Sequence, residues 1–164
     1  MDKISGIIIF GPNGSGKTTL GRELARILGF KHIDQEAYAF YESAIPYTNP
    51  RPREECLDLM LADVEKYRVF VLTAVTGDFG DSFTQYYDLA VYLSAPLYNQ
   101  HGERVFEGGD LYEGEQRFYE RVASLPLERT DRFAQTLTCP VIRVDGTLDW
   151  RTNAAMIAER YRGL

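Results

Sequence analysis

The chain has 164 residues, 45% hydrophobic and 26% charged, a balance that fits a single globular domain over 1–164 and excludes a disordered segment. Its 18 basic and 24 acidic residues leave a net charge of −6, which argues against a nonspecific nucleic-acid or anionic-membrane surface. No apolar run approaches the roughly 20 residues of a membrane-spanning helix, and the N-terminus lacks the form of a signal peptide. A cytoplasmic protein is expected, with neither nucleic acid nor membrane as partner, and Cys56 and Cys139, which lack metal-ligand spacing, read as buried reduced thiols.

Ile4 to Phe10 is rich in β-branched apolar residues and predicts a strand buried on both faces. Next comes Gly11-Pro12-Asn13-Gly14-Ser15-Gly16-Lys17-Thr18, which fits the phosphate-loop pattern G-x-x-x-x-G-K-[ST] at every constrained position. An amphipathic helix is predicted after it, with Leu20, Leu24, Ile27 and Leu28 on one face and Gly29 as a stop. In that order of strand, loop and helix, the glycines let the backbone wrap an anion and the helix N-terminus adds partial positive charge. The expected guest is a nucleoside triphosphate with Mg²⁺. Lys17 would neutralise phosphate oxygens and the Thr18 hydroxyl would ligate the metal, with Thr19 completing the cradle.

Phe30 to Ile33 predicts a second strand ending at Asp34-Gln35-Glu36. Ligands of open parallel sheets bind beyond the carboxyl ends of the strands, so Asp34 is a candidate for a metal-bound water or the proton of an acceptor hydroxyl. It is equally an N-cap for a helix over Gln35 to Glu42. His32 reads as packed or surface-exposed. The three prolines of Ile45 to Arg53 mark a loop, in which Arg51 and Arg53 have the geometry to hold a phosphate or carboxylate of an acceptor. A helix from about Arg53 to Lys66 follows, its stripe being Leu57, Met60, Leu61 and Val64.

Val69 to Val75 predicts the third strand. Where many phosphate-loop proteins place an acid at its end, this chain has Thr76-Gly77-Asp78. The metal role is therefore open between Asp34 and Asp78, and Gly77 would admit a substrate close to the backbone. Leu89 to Leu93 predicts the fourth strand, stopped at Pro96. Beyond it, a segment of about 97–125 carries Gly102, Gly108 and Gly109 with Arg104, Arg117 and Arg121, the qualities of a lid that closes on transferred phosphate. Arg117 and Arg121 are also spaced for a salt-bridge ladder with Glu113. Val141 to Val144 predicts the fifth strand, followed by a turn at Asp145-Gly146-Thr147 and a last helix from about Asp149, buried along Trp150, Ala154, Ile157, Ala158 and Tyr161. Strands alternating with helices predict a three-layer α/β domain.

These landmarks together resemble the nucleoside and nucleotide kinase-like P-loop family, which includes adenylate, cytidylate, shikimate and gluconate kinases. The matching segments are Gly11 to Thr18, His32 to Glu36, Thr76-Gly77-Asp78, Tyr92 to Pro96, the lid arginines and Val144 to Thr147. More narrowly, Phe106 to Tyr112 and Cys139 to Thr147 look like a group of uncharacterised bacterial AAA-type ATPases. The resemblance implies a parallel sheet in the order 2-3-1-4-5, ATP with Mg²⁺, transfer of the γ-phosphoryl to a small acceptor, and Gly146 and Thr147 beside the adenine. Ala95-Pro96 runs almost directly into Gly102-Glu103-Arg104, which shortens the arginine-bearing helix of monophosphate kinases. Asp34-x-Glu36 and Gly77 are instead similar to kinases of hydroxylated metabolites. A regulatory module that binds nucleotide and transfers nothing is the alternative. It would need only Lys17 and Thr18, whereas an enzyme would also need Asp34 and a lid arginine such as Arg104.

Overall fold

A computed structural model describes residues 3–12, 15–45, 48–94 and 128–164. Within them β1 (Ser5–Phe10), α1 (Lys17–Leu28), β2 (Lys31–Asp34), α2 (Gln35–Ala39), α3 (Arg53–Tyr67), β3 (Val69–Ala74) and α4 (Asp81–Thr84) precede β4 (Tyr87–Ser94). After it come α5 (Glu128–Thr136), β5 (Val141–Asp145) and α6 (Trp150–Arg162). The strands form one five-stranded sheet in the order β2-β3-β1-β4-β5, every pair parallel. This is the α/β architecture and strand order expected from the sequence.

The period-2 alternation of strand side chains explains how one short β1 organises two helical layers. Ile7 and Ile9 point to one face, where they are fully buried with Leu20 and Leu24 of α1 and Ala154 and Ile157 of α6. Ile8 and Phe10 point to the other, against Met60 and Val64 of α3 and Phe133 of α5. Phe133 meets Phe10 edge-on, with ring centroids 4.9 Å apart. On α3 the fully buried stripe is Cys56, Met60 and Val64, and the expected Leu57 and Leu61 pack at its margin. Among the described residues no helix is long and apolar enough to cross a membrane.

Three local features depart from the sequence reading. The helix after Asp34 ends at Ala39 rather than Glu42, because the chain folds back on 49–51: Tyr41 N–H donates to Asn49 O at 2.8 Å and Arg51 N–H to Ala39 O at 2.7 Å. The short α4 was not expected; it buries Phe83. Nor was α5, which docks through Phe133 and a 2.9 Å hydrogen bond between the Thr130 and Tyr92 hydroxyls. The expected lid over 97–125, with Arg104, Arg117 and Arg121, lies outside the described residues, as do Asn13 and Gly14.

Gly77 is buried just beyond β3, and a Cβ there would stand 2.7 Å from Ile8 Cγ1 and 2.9 Å from the Phe133 ring. Its small size therefore serves the core. Gly77→Ala is expected to lower stability by about 1–3 kcal/mol through overpacking, seen in a thermal melt as a Tm several degrees below wild type. An unchanged Tm would remove Gly77 from the packing account.

Candidate active site

The loop between β1 and α1 starts at a point of close approach. Gly11 has φ +154°, and a Cβ on it would meet the Leu93 carbonyl oxygen of β4 at 2.1 Å, so only glycine fits. Gly16 takes φ +89° at the entry to α1, a left-handed conformation that turns the chain into the helix. Between them Ser15 is buried, and its hydroxyl has no hydrogen-bond partner among the described residues. Lys17 folds back over the loop and donates from Nζ to Pro12 O at 2.9 Å.

Thr18 Oγ1 donates to Asp34 Oδ2 at 3.1 Å. The other carboxylate oxygen, Oδ1, accepts from Glu36 N–H at 3.2 Å and so caps α2. The N-cap reading of Asp34 is thus met by one oxygen, and the other is held by the Thr18 hydroxyl. The loop, the end of β2 and the end of β3 enclose a cavity of about 200 Å³ lined by Gly16, Lys17, Thr18, Asp34, Glu36 and Thr73, among others. Beneath it, Thr73 is buried and its hydroxyl lies 3.0 Å from His32 Nε2. His32 is therefore packed against its neighbour, and burial pushes its imidazole below the usual range.

Electrostatics single out Lys17 as the group that an anion would favour. Burial lowers the Lys17 ammonium to about 8, while the negative charges of Glu36 and Asp34 oppose the fall. A buried ammonium with one carbonyl partner gains from a ligand phosphate what burial took from it. The Ser15 hydroxyl, unpartnered among the described residues, fits the same guest. The paired Thr18 hydroxyl and Asp34 carboxylate are the hard oxygen donors that Mg²⁺ prefers, so the residues fit both groups.

A second cavity, of about 280 Å³, lies on the opposite side of the loop, between Ser15, Gly16 and Thr19 and the β5–α6 turn with Gly146, Leu148 and Trp150. That turn is held rigidly. Gly146 N–H donates to Ser94 O at 2.6 Å, and Asp145 Oδ1 accepts from both the N–H and the hydroxyl of Thr147, at 2.9 and 2.6 Å. Its largely apolar wall, next to Thr19, suits a nucleobase in character.

The other expected site residues are distributed unevenly. Arg51 is half-buried under α2, with Nη1 donating to Tyr38 O at 2.9 Å and the guanidinium 4.7 Å from the Tyr41 ring. Arg53 stacks over Phe79 at 5.8 Å. Gly77 and Asp78 line neither cavity; Gly77 faces the core and Asp78 is exposed. Glu36 does line the loop cavity, though the sequence reading gave it no separate role. Its spacing two residues from Asp34 was the available signal.

No protein-family model and no curated protein matches the sequence. Solved structures do. The chain aligns with a shikimate kinase from Acinetobacter baumannii in complex with shikimate at TM-score 0.57 and 16% identity, over 98% of this chain and 94% of that one. The chain has the shikimate-kinase fold. A shikimate kinase from Bacteroides thetaiotaomicron aligns at TM-score 0.56 and 18% identity, over 98% and 99% of the two chains. An uncharacterised protein from Eubacterium ventriosum aligns at 0.58 and 15%, over 98% and 99%. The shared fold spans nearly the full length of both chains in each comparison.

The lowered Lys17 predicts a pH dependence of nucleotide binding. Without ligand the ammonium loses its proton near pH 8, and a bound phosphate favours the charged form. ADP affinity should therefore be flat below about pH 8 and weaken above it by up to about tenfold per pH unit, with proton uptake on binding. Calorimetry at pH 9 in buffers of different ionisation enthalpy measures that uptake; none at pH 9 would contradict the assignment.

Proposed function

We propose that the chain transfers the γ-phosphoryl group of MgATP to a small-molecule acceptor. The observation that supports this most is the Thr18–Asp34 hydrogen bond. It joins the phosphate loop to the end of β2, on a wall shared with Lys17 and a second carboxylate, Glu36. A phosphate site alone needs no such carboxylates. Phosphoryl transfer needs positioning and charge stabilisation on one side and a place for the acceptor proton on the other.

The roles divide by what each side chain has free. Lys17 and the loop amides hold the donor phosphates, while Gly146 and Thr147 flank the base. Asp34 has one oxygen on Thr18 and one on the α2 N-terminus, which makes it the fixed member of the pair. Magnesium, when bound, would be held by Thr18 with Asp34 behind it and would neutralise charge on the phosphate oxygens. Glu36 is the carboxylate left facing the cavity, and we assign it the acceptor hydroxyl's proton. Arg104 is assigned the stabilisation of transferred charge, with Arg51, Arg117 and Arg121 toward the acceptor, on sequence grounds. The likeness of 106–112 and 139–147 to AAA-type bacterial ATPases fits the same donor half, since hydrolysis and transfer share it. The structural neighbours support a kinase: two of them are shikimate kinases, one in complex with shikimate.

Three variants separate the roles. Lys17→Ala should abolish both ATP binding and turnover. Glu36→Gln should lower kcat by about 10²–10⁴ and leave ATP affinity within about threefold of wild type, because the loss belongs to the transition state. Asp34→Asn should raise the Mg²⁺ concentration required for half-maximal rate as well as lowering kcat. Equilibrium ATP binding and single-turnover phosphoryl transfer against a panel of nucleosides, monophosphates and hydroxy acids provide the readouts. ATP binding without transfer to any acceptor class, and with wild-type behaviour in Glu36→Gln, would point instead to a regulatory nucleotide-binding module.

A further inference from the structure

The cavity between the phosphate loop and the β5–α6 turn contains a polar atom that neither phosphate nor metal uses. Asn153, on the first turn of α6, lines that cavity and is only 5% exposed. Its Nδ2 donates to Asp145 O at 3.0 Å. A carbonyl oxygen accepts and never donates, so this contact fixes which end of the amide is which. Oδ1 is the end left over, and it has no donor among the described residues. A nearly buried amide oxygen without a donor is costly, and it gains from a ligand that brings one.

The neighbouring backbone does not supply that donor. Gly146 N–H is spent on Ser94 O, Thr147 N–H on Asp145 Oδ1 and Leu148 N–H on Asp145 O. The N–H of Asn153 itself goes to Asp149 O at 3.0 Å. The turn therefore holds its shape with its own donors, and these three N–H groups are not free to read a base edge. Trp150 lines the same wall, with the Arg151 guanidinium 4.1 Å from the centre of its ring. Its indole offers a flat surface of the kind on which bases stack.

We propose that Asn153 selects the base: its Oδ1 accepts a hydrogen bond from the exocyclic amino group of adenine. The inference rests on the MgATP reading and adds to it a residue that distinguishes ATP from other nucleoside triphosphates. Adenine joined to ribose through N9 carries a single donor group, the 6-amino group, so no other part of the base satisfies Oδ1. Hypoxanthine and guanine have a carbonyl oxygen in that place, which sets two acceptors against each other. One amide thus does two things, bracing the end of β5 through Nδ2 and reading the base through Oδ1. Asn153 is a specificity-determining residue on α6, outside both the phosphate loop and the turn.

The test compares ADP with IDP on the full chain with Mg²⁺, followed by calorimetry and by the fluorescence of Trp150, the chain's only tryptophan. ADP should bind about ten times tighter than IDP, or more. The diphosphate of purine riboside, which carries only hydrogen at position 6, should also bind more weakly than ADP, a comparison that needs no substitution. Asn153→Ala should remove the preference by weakening ADP and leaving IDP near its wild-type affinity, whereas loss of the brace alone would weaken both nucleotides together. Asn153→Asp, which keeps an oxygen toward the cavity, should retain part of the preference. Equal affinities for ADP and IDP in the wild-type chain, a preference that survives Asn153→Ala, or equal weakening of both nucleotides by that substitution overturns the proposal. Binding of neither nucleotide to the wild-type chain would instead overturn the nucleotide reading on which it rests.

Discussion

The site depends on how closely Gly11 is held against β4. With its Cα so near the Leu93 carbonyl that a methyl group would overlap it, and its N–H on Val75 O at 3.2 Å, the end of β1 is fixed to both neighbouring strands. The chain leaves the sheet there in one direction, and the loop inherits that direction. Everything we assign to phosphate is positioned relative to it: the buried Ser15, the folded-back Lys17 and the start of α1. A flexible glycine-rich turn would supply the same amides without a fixed target, and the electrostatic benefit of preorganised donors would be lost.

From that anchor the remaining groups follow by one-residue steps. Thr18 is the second residue of α1 and Asp34 the last of β2, and their hydrogen bond closes the gap between helix and sheet. Asp34 is aligned with Thr73 across the β2–β3 pair, so His32, Asp34 and Thr73 share the face of the sheet beneath α1. Polar side chains at that point interrupt a layer that is otherwise aliphatic. Burial without a partner would be costly; here each has one. The result is a polar wall whose members are satisfied internally, beside the cavity that Lys17 and Glu36 also line.

The sequence was most legible where a local pattern and its tertiary use coincide. The strands and the burial of Leu20, Leu24, Ala154 and Ile157 could be read because short-range periodicity determines them, whereas the strand order came only with the family resemblance. The misreadings arose where distant backbone intervened. Helix α2 has the composition to continue to Glu42, but its last turn is taken by the return of 49–51. Gly77 reads as an opening for a ligand until Phe133, from an element far along the chain, fills the space. Glu36 was visible only as spacing, because nothing in one sequence says which of two neighbouring carboxylates will spend its oxygens on a cap and a threonine. The lid arginines belong to residues outside the description and stay at the level of the sequence.

The strand order also has a kinetic consequence. β1 is made first, yet its neighbours in the sheet are β3, where Ser5 is aligned with Val69, and β4, where Ile7 is aligned with Leu89. Closing such long loops must precede any gain from strand pairing, which makes parallel topologies slow to fold. During synthesis, Ile7-Ile8-Ile9-Phe10 waits without either partner until β3 has followed, and without β4 until more than half of the chain has been made. The stretch that organises the finished core is thus, in the nascent chain, an exposed apolar segment prone to aggregate.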